Sequence, residues 1–406
     1  MNPHKFFNIF LRVCTLLGKL FFFLIIAKYY DPSKIGILGL IMATVVFSIY
    51  FVGLEFFTFS TRELLKIKVI KWGYYLKSQF LLHIILYFLS FPILISLFIF
   101  QLLPWEYVIF FFLILFFENI ILELSRILIT LNQQIQSSII TFFRSGLWCI
   151  VGSIVIIIFD ELITLKVLLS IWFLCLLISL SMAFYFLLNK NIKNWRKDVD
   201  FSWILRGVKV AIPLLIASLV IRFIFTIDRY WIEYLTNTEI LGVYVLFIGF
   251  VTSIMTVMDA GVFSFSYPNL IRFYNTNNTK KFNRESSHLK KNTIVVSLIC
   301  IIGALIIIKP ILLFIDKQIY YENISIFYSL LILMLIYVLS MIPHYLLYAQ
   351  RHDKKIIHCH LIALLIFVVS TFIISKYNPY YAVIGGLNLS FLFILIYKIR
   401  ACLNKA

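Results

Sequence analysis

The chain has 406 residues, of which 62% are hydrophobic and 13% are charged. Soluble domains are roughly half apolar and a quarter charged, so this composition excludes an ordinary soluble protein. The formal charge of +18 raises the question of a nucleic-acid partner. The positions of the cations along the chain decide whether one is expected.

Apolar segments long enough to cross a bilayer follow one another along the chain. A helix needs about 20 apolar residues for this, and the alternating pattern of barrel strands is nowhere sustained. The sequence therefore predicts an all-α integral membrane protein of about 12 transmembrane helices, in two pseudo-symmetric six-helix bundles around a central cavity. The predicted spans are Asn8–Ala27, Ile35–Phe57, Tyr75–Phe100, Trp105–Thr130, Ile139–Phe159, Leu165–Leu188, Val208–Ile232, Ile240–Phe265, Ile294–Ile315, Ile324–Leu347, Ile356–Ser375 and Tyr381–Ile399.

Lysine and arginine alternate between the connections. They concentrate after the second, sixth, eighth and tenth spans and at the end of the chain, whereas the intervening connections are short and poor in cations. Because cationic connections are retained in the cytoplasm, both termini are predicted to be cytoplasmic, which requires an even number of spans. The charge is thus a topology signal, and no nucleic-acid partner is expected.

The chain reads as two halves, residues 1–195 and 196–406. In both Phe21–Leu40 and Ile224–Leu246, an apolar helix leads through an aromatic end and a short polar turn to a glycine, so that Gly36 and Gly242 align. Internal repeats are typical of transporters that bind substrate between their halves. The alternative is that any two membrane hairpins share these features.

Several classes of function are disfavoured by what the sequence lacks. It has no GxxxxGK[ST] motif and no segment that could form a nucleotide-binding domain, so ATP-driven pumping is excluded. The acids Glu233 and Glu239 lie in tight turns rather than in a large external loop, which argues against an enzyme. His358 and His360 are two residues apart and would point to different helix faces, so no metal and no cofactor is expected.

Ionisable groups within apolar spans are costly and usually face protein or water. Two cationic stripes recur at helical spacing: Arg12, Thr15 and Lys19 in the first span, and Ser218, Arg222, Thr226 and Arg229 in the seventh. Facing each other across a cavity, they would attract a pyrophosphate. The alternatives are that Arg12 snorkels to the interface, that Arg229 lies too near the outer end, and that Lys19 and Arg222 form structural ion pairs.

Acids and other polar groups supply the remaining candidates. Asp228 and Asp259 are candidates for coupling to H+ or Na+, because a desolvated carboxylate can take up a proton. Glu123 and Arg126, three residues apart, are predicted to pair as a structural latch. Further predicted features are hydrogen bonds from Tyr337, His344 and Tyr348 to a sugar, and kinks or rocking hinges at Pro213 and Pro343.

Three segments carry a family resemblance: Gly53–Leu65 (GLEFFTFSTRELL), Ile212–Leu235 (IPLLIASLVIRFIFTIDRYWIEYL) and Ile240–Tyr244 (ILGVY). They resemble the Wzx-type O-antigen flippases, in the polysaccharide transporter branch of the multidrug/oligosaccharidyl-lipid/polysaccharide exporter superfamily. The resemblance covers the whole chain in topology and only these patches in sequence.

The resemblance implies a flippase in the bacterial inner membrane. Its substrate would be undecaprenyl-pyrophosphate-linked oligosaccharide, moved from the cytoplasmic to the periplasmic leaflet by alternating access, with ion antiport as a further expectation. The family's cationic cavity would map onto Lys19 and Arg222, and a polysaccharide polymerase and a chain-length regulator would be partners. Two rival functions stay open: a multidrug exporter of the same superfamily, and a membrane-embedded polymerase or glycosyltransferase.

Overall fold

The structure is a computed structural model, and it describes residues 3–159, 164–188, 190–196 and 198–403. Long helices dominate these residues because their apolar side chains leave the backbone polar groups only each other as partners in hydrocarbon. The α-helices are α1 (Pro3–Tyr29), α2 (Pro32–Gly53), α3 (Phe57–Leu64), α4 (Trp72–Ile99), α5 (Val108–Thr130), α6 (Gln134–Phe142), α7 (Trp148–Ile158), α8 (Leu165–Leu188), α9 (Phe201–Leu235), α10 (Thr238–Met258), α11 (Ser264–Asn275), α12 (Thr279–Ile315), α13 (Gln318–Glu322), α14 (Ile324–Ala349), α15 (Asp353–Ser375) and α16 (Pro379–Leu403).

Two spans contain a π-helical segment. Phe143–Leu147 joins α6 to α7, and Asp259–Phe263 joins α10 to α11, so each of these helix pairs forms one continuous span. A π-helical segment accommodates one extra residue in a helix and is frequent at functional sites.

Eleven helical segments of the described part of the chain are long and apolar enough to cross a membrane. The bent helix α9, which consists of Phe201–Pro213 and Ser218–Leu235, raises the number to twelve. The prediction of a multi-pass, all-helical membrane protein is therefore confirmed. The bend lies where Pro213 removes a backbone donor.

Several predicted spans have different ends in the structure, and two of them show the physical reason. The second was predicted to reach Phe57 but ends at Gly53, because Leu54 and Glu55 adopt left-handed backbone angles (φ 53° and 52°) that terminate a helix. The short helix α3 then follows. The ninth span was predicted from Ile294, whereas α12 begins at Thr279, since its polar first turns continue the helix beyond the apolar stretch.

The chain forms two compact units, residues 1–29 with 40–219, and residues 30–39 with 220–406. In unit 1, α1 packs on α6 and α7, and α5 packs between α6 and α8. In unit 2, α14 packs against α10, α12 and α16, and α16 packs along α15. The predicted division at residue 195 stays a prediction.

Residues 30–39 join unit 2 through close backbone contacts. A Cβ atom placed on Gly36 would lie 2.6 Å from the carbonyl oxygen of Thr238, and one placed on Gly242 would lie 1.9 Å from that of Pro32. The amino group of Lys317 also donates to the carbonyl of Tyr30. The two glycines that the repeat aligns thus lie where α2 and α10 touch backbone to backbone.

Candidate functional site

A buried carboxylate connects three helices of unit 1. Glu118 of α5 is 6% exposed and accepts hydrogen bonds from Arg144 Nη1 and from Trp172 Nε1, both at 3.0 Å. Arg144 lies in the π-helical segment between α6 and α7, and Trp172 lies in α8. Arg144 therefore already balances the charge of this carboxylate.

Lys19 of α1 supplies that further cation. It lies close enough to Arg144, Glu118 and Cys149 to interact with them electrostatically. Among the described residues, no carboxylate oxygen lies within 4.0 Å of the Lys19 amino nitrogen, so Lys19 forms no ion pair there. Two basic side chains therefore lie near one carboxylate here, an arrangement that favours an anionic group as a further partner.

Glycines bring α1 close to the π-helical segment that carries Arg144. A Cβ atom on Gly18 would lie 2.9 Å from Ile150 Cγ1, and one on Gly146 would lie 3.1 Å from Thr15 Cα. Larger side chains at these positions would push the two helices apart. We name the group Lys19, Arg144, Glu118 and Trp172 the unit 1 cationic site.

The other members of the first stripe stand apart from this site. Arg12 is exposed, as expected for a snorkelling cation. The hydroxyl of Thr15 donates to the carbonyl of Leu11 at 2.8 Å, within its own helix. Within the described part of the chain, neither residue forms a hydrogen bond or ion pair with Glu118 or Arg144, so Lys19 links the predicted stripe to the site.

A second polar group lies in unit 2. Tyr337 of α14 lies within electrostatic range of both Arg222 of α9 and Asp259. Asp259 is exposed and opens the second π-helical segment, and Tyr345 lies close to it as well. The structure thus places both Arg222 and Asp259, which the sequence assigned to different roles, within electrostatic range of Tyr337. Tyrosine hydroxyls near such charged side chains are groups that can bind sugar hydroxyls.

The hydroxyls of the seventh-span stripe are used locally. Thr226 donates to the carbonyl of Arg222 at 2.8 Å, and Ser218 donates to that of Leu215 at 3.1 Å. Such bonds to the preceding turn satisfy the donor but leave the oxygen free to accept. The two residues can still contribute acceptors to a ligand.

Asp228 and Arg229 compensate each other. Asp228 is fully buried, and its carboxylate accepts from the Arg229 backbone nitrogen at 2.7 Å, from Arg229 Nη1 at 3.3 Å and from the hydroxyl of Tyr244. Arg229 also donates to the carbonyl of Phe225. This geometry favours a structural ion pair that fixes α9 against α10, and it leaves Asp259 as the more accessible coupling candidate.

His344 belongs to a basic cluster that the sequence did not indicate. Its Nδ1 lies 3.2 Å from the amino group of Lys398, which is 2% exposed although it is close to the chain end. The ring of His360 stacks parallel to that of His344 at 6.1 Å. Lys398 is therefore a buried cation rather than a solvated terminal one.

No group of three or more histidine, cysteine, aspartate or glutamate side chains within the described ranges could hold a metal ion. The predicted Glu123–Arg126 pair is present, and Gln79 and His83 of α4 join it. These four side chains form a separate polar group within unit 1.

Comparison with known proteins yields no matching family model, and no curated protein matches the sequence. Solved structures match almost the entire chain. An inward-facing multidrug resistance MATE family transporter of the MOP superfamily has a TM-score of 0.68 at 12% identity, over 97% of this chain and 96% of that one.

The lipid II flippase MurJ, in an inward closed conformation, also has a TM-score of 0.68, at 17% identity over 99% of this chain and 87% of that one. A MATE structure in complex with MaD3S has a TM-score of 0.62 at 12% identity, over 100% and 98% of the two chains. The protein therefore has the fold that these MATE transporters share with the flippase MurJ.

Proposed function

We propose that the protein is a flippase for undecaprenyl-pyrophosphate-linked oligosaccharide, an O-antigen repeat unit. It moves this lipid from the cytoplasmic to the periplasmic leaflet of the bacterial inner membrane by alternating access. Both termini and the cationic connections lie in the cytoplasm, and a polysaccharide polymerase and a chain-length regulator use the product.

The observation that carries this proposal is the unit 1 cationic site. Lys19 and Arg144 lie near a single carboxylate, so the site has more basic than acidic side chains in an apolar span, where charge is costly. A pyrophosphate offers several oxygens to ammonium and guanidinium donors and neutralises the excess. Arg222, beside Tyr337 in unit 2, is the second proposed anion ligand, and Arg12 and Arg229 have supporting roles at most.

The sugar moiety requires hydroxyl partners rather than charge. Contacts with the sugar are assigned to the hydroxyl oxygens of Thr15, Ser218 and Thr226, each of which donates to a backbone carbonyl and can still accept a hydrogen bond. Tyr337 and His344 complete this set. Coupling to H+ or Na+ is assigned to Asp259, because it is exposed whereas Asp228 is buried in an ion pair.

The test is complementation of a bacterial strain that lacks its O-antigen flippase, with surface polysaccharide as the readout. The unaltered protein should restore it, and Lys19→Ala should reduce it by about 10- to 100-fold, as the loss of a hydrogen bond to a charged group would. Lys19→Arg should retain most activity, because it keeps the charge.

The matched control is Lys166→Ala, which removes an exposed lysine 3.5 Å from Glu106 Oε2. All variants must be shown by immunoblot to reach the membrane in equal amounts. Full complementation by Lys19→Ala would reject the cationic site. Accumulation of unpolymerised units in the periplasm without this protein would point to polymerase function instead.

A multidrug exporter is the second candidate, favoured by the MATE likeness and by the exposed carboxylate of Asp259 near aromatic rings. Cationic drugs would bind such a group. A deletion strain that becomes sensitive to cationic drugs and keeps its surface polysaccharide would support this candidate over the flippase.

A further inference from the structure

A pocket in unit 1, which shares no lining residue with the cationic site, is lined by α4, α5, the end of α8 and the connection that follows α8. Its volume is about 510 Å³, within the range of small-molecule sites. The connection bonds to the start of α4, where the backbone nitrogen of Lys193 donates to Ile70 at 3.1 Å. Lys190 and Trp195 therefore lie at the membrane boundary, whereas His83 lies about 16 Å along α4 from Trp72.

The inner part of this lateral pocket is polar. Gln79, His83 and Asn119 are 4%, 7% and 4% exposed. Gln79 Oε1, Asn119 Oδ1 and both ring nitrogens of His83 have no hydrogen-bond partner in the structure. Buried polar atoms are almost always hydrogen-bonded, so these four atoms indicate a partner that enters the pocket.

Charge restricts the chemistry of that partner. Glu123 is compensated by Arg126, whose guanidinium also covers the ring of Phe57 at 3.6 Å, and it accepts from Gln79 Nε2 at 2.8 Å. The inner end is therefore close to neutral. An ammonium group would be repelled by Lys190 as it entered the pocket. An anion would be repelled by the unpaired oxygens of Gln79 and Asn119.

A hydroxyl group fits this charge pattern and can pair two of the four atoms. It donates to an amide oxygen, accepts from the protonated nitrogen of a neutral histidine, and carries no charge. The remaining walls are aliphatic and aromatic, and Phe80 and Leu188 are 51% exposed and 82% exposed on the membrane-facing side. A hydrocarbon chain can follow these walls into the bilayer.

We propose that the lateral pocket binds a neutral amphiphile with a hydroxyl head, such as a long-chain alcohol or an acylglycerol. Its hydroxyl bonds to Asn119 and His83, and its chain packs against Phe184 and Leu187. The proposal does not depend on the transported substrate, because none of these residues belongs to the unit 1 cationic site.

The test is photolabelling of the purified protein in lipid nanodiscs with a diazirine-bearing dodecanol. Labelled peptides should map to α4, α5 and the end of α8, and excess unlabelled dodecanol should suppress this labelling. Dodecylamine, laurate and dodecane at the same concentration should not. The competition uses the unaltered protein, so it does not depend on any variant folding.

Two substitutions add positional evidence. Leu187→Trp fills the pocket and should abolish labelling, whereas Leu174→Trp, on a part of α8 that is 56% exposed, should not. Asn119→Leu should reduce the preference for dodecanol over dodecane about five- to tenfold, as expected for one lost hydrogen bond.

Other outcomes overturn the proposal. Equal competition by dodecane would show that only apolar walls matter. Stronger competition by the amine or the carboxylate would show that the head is charged. Labelling no greater than on the rest of the membrane-facing surface would mean that the pocket holds only water or bulk lipid.

Discussion

Gly242→Ala should destabilise the protein by about 3 kcal/mol or more, since overpacking of this kind forces the backbone to move. The added Cβ atom would lie 1.9 Å from the carbonyl oxygen and 2.6 Å from the carbonyl carbon of Pro32. Both are backbone atoms at the start of α2, so no side-chain rotation relieves the clash. The measurement is the apparent melting temperature in detergent, followed by fluorescence-detected size exclusion.

Gly303→Ala is the control for this substitution. Gly303 lies within α12, and nothing lies within 4 Å of a Cβ atom placed there. Alanine is the better helix former by about 1 kcal/mol, so this variant should be equally stable or slightly more stable. Equal melting temperatures for the two variants would mean that α2 and α10 do not touch at Gly242.

Asp228→Ala should cost about 3 to 5 kcal/mol, the range seen when one partner of a buried ion pair is removed. The guanidinium of Arg229 and the hydroxyl of Tyr244 would lose their acceptor inside the protein. The same thermal assay measures this loss. Asp259→Ala, at an exposed position, is the control and should change the melting temperature little.

A double variant tests whether the loss of stability comes from breaking the ion pair or from changing a buried side chain. If the cost of Asp228→Asn comes from an unpaired Arg229, then Asp228→Asn combined with Arg229→Gln should lose less stability than the sum of the single changes. Additive losses would exclude the pair as the cause and return Asp228 to the set of ion-coupling candidates.

The fold followed from the sequence because apolar runs of about 20 residues are a strong signal for membrane helices. The ends of the helices were harder to predict from the sequence. The break after Gly53 depends on left-handed angles at Leu54 and Glu55, which no local residue type demanded. The π-helical segments were missed because one extra residue in a helix leaves the hydrophobic pattern almost unchanged.

The site was only partly predictable. Lys19 was found because it interrupts an apolar helix, and the same signal is present at Glu118 and Arg144. These two residues are 26 positions apart on adjacent spans, and their contact depends on how the helices pack. Stripes within one helix therefore identified Lys19 but neither Arg144 nor the carboxylate of Glu118.

The π-helical segment at Phe143–Leu147 also determines which sequence changes the fifth span can accept. Because the segment absorbs one extra residue, deleting one residue within it would leave regular α-helix and keep the orientation of α7. Deleting one residue between Cys149 and Gly152 would instead rotate the rest of α7 by about 100°. Ile154 and Ile157, now 47% and 45% exposed, would then take the buried positions of Ser153 and Ile156. Homologous chains should therefore differ in length by one residue within Phe143–Leu147 more readily than elsewhere in the fifth span.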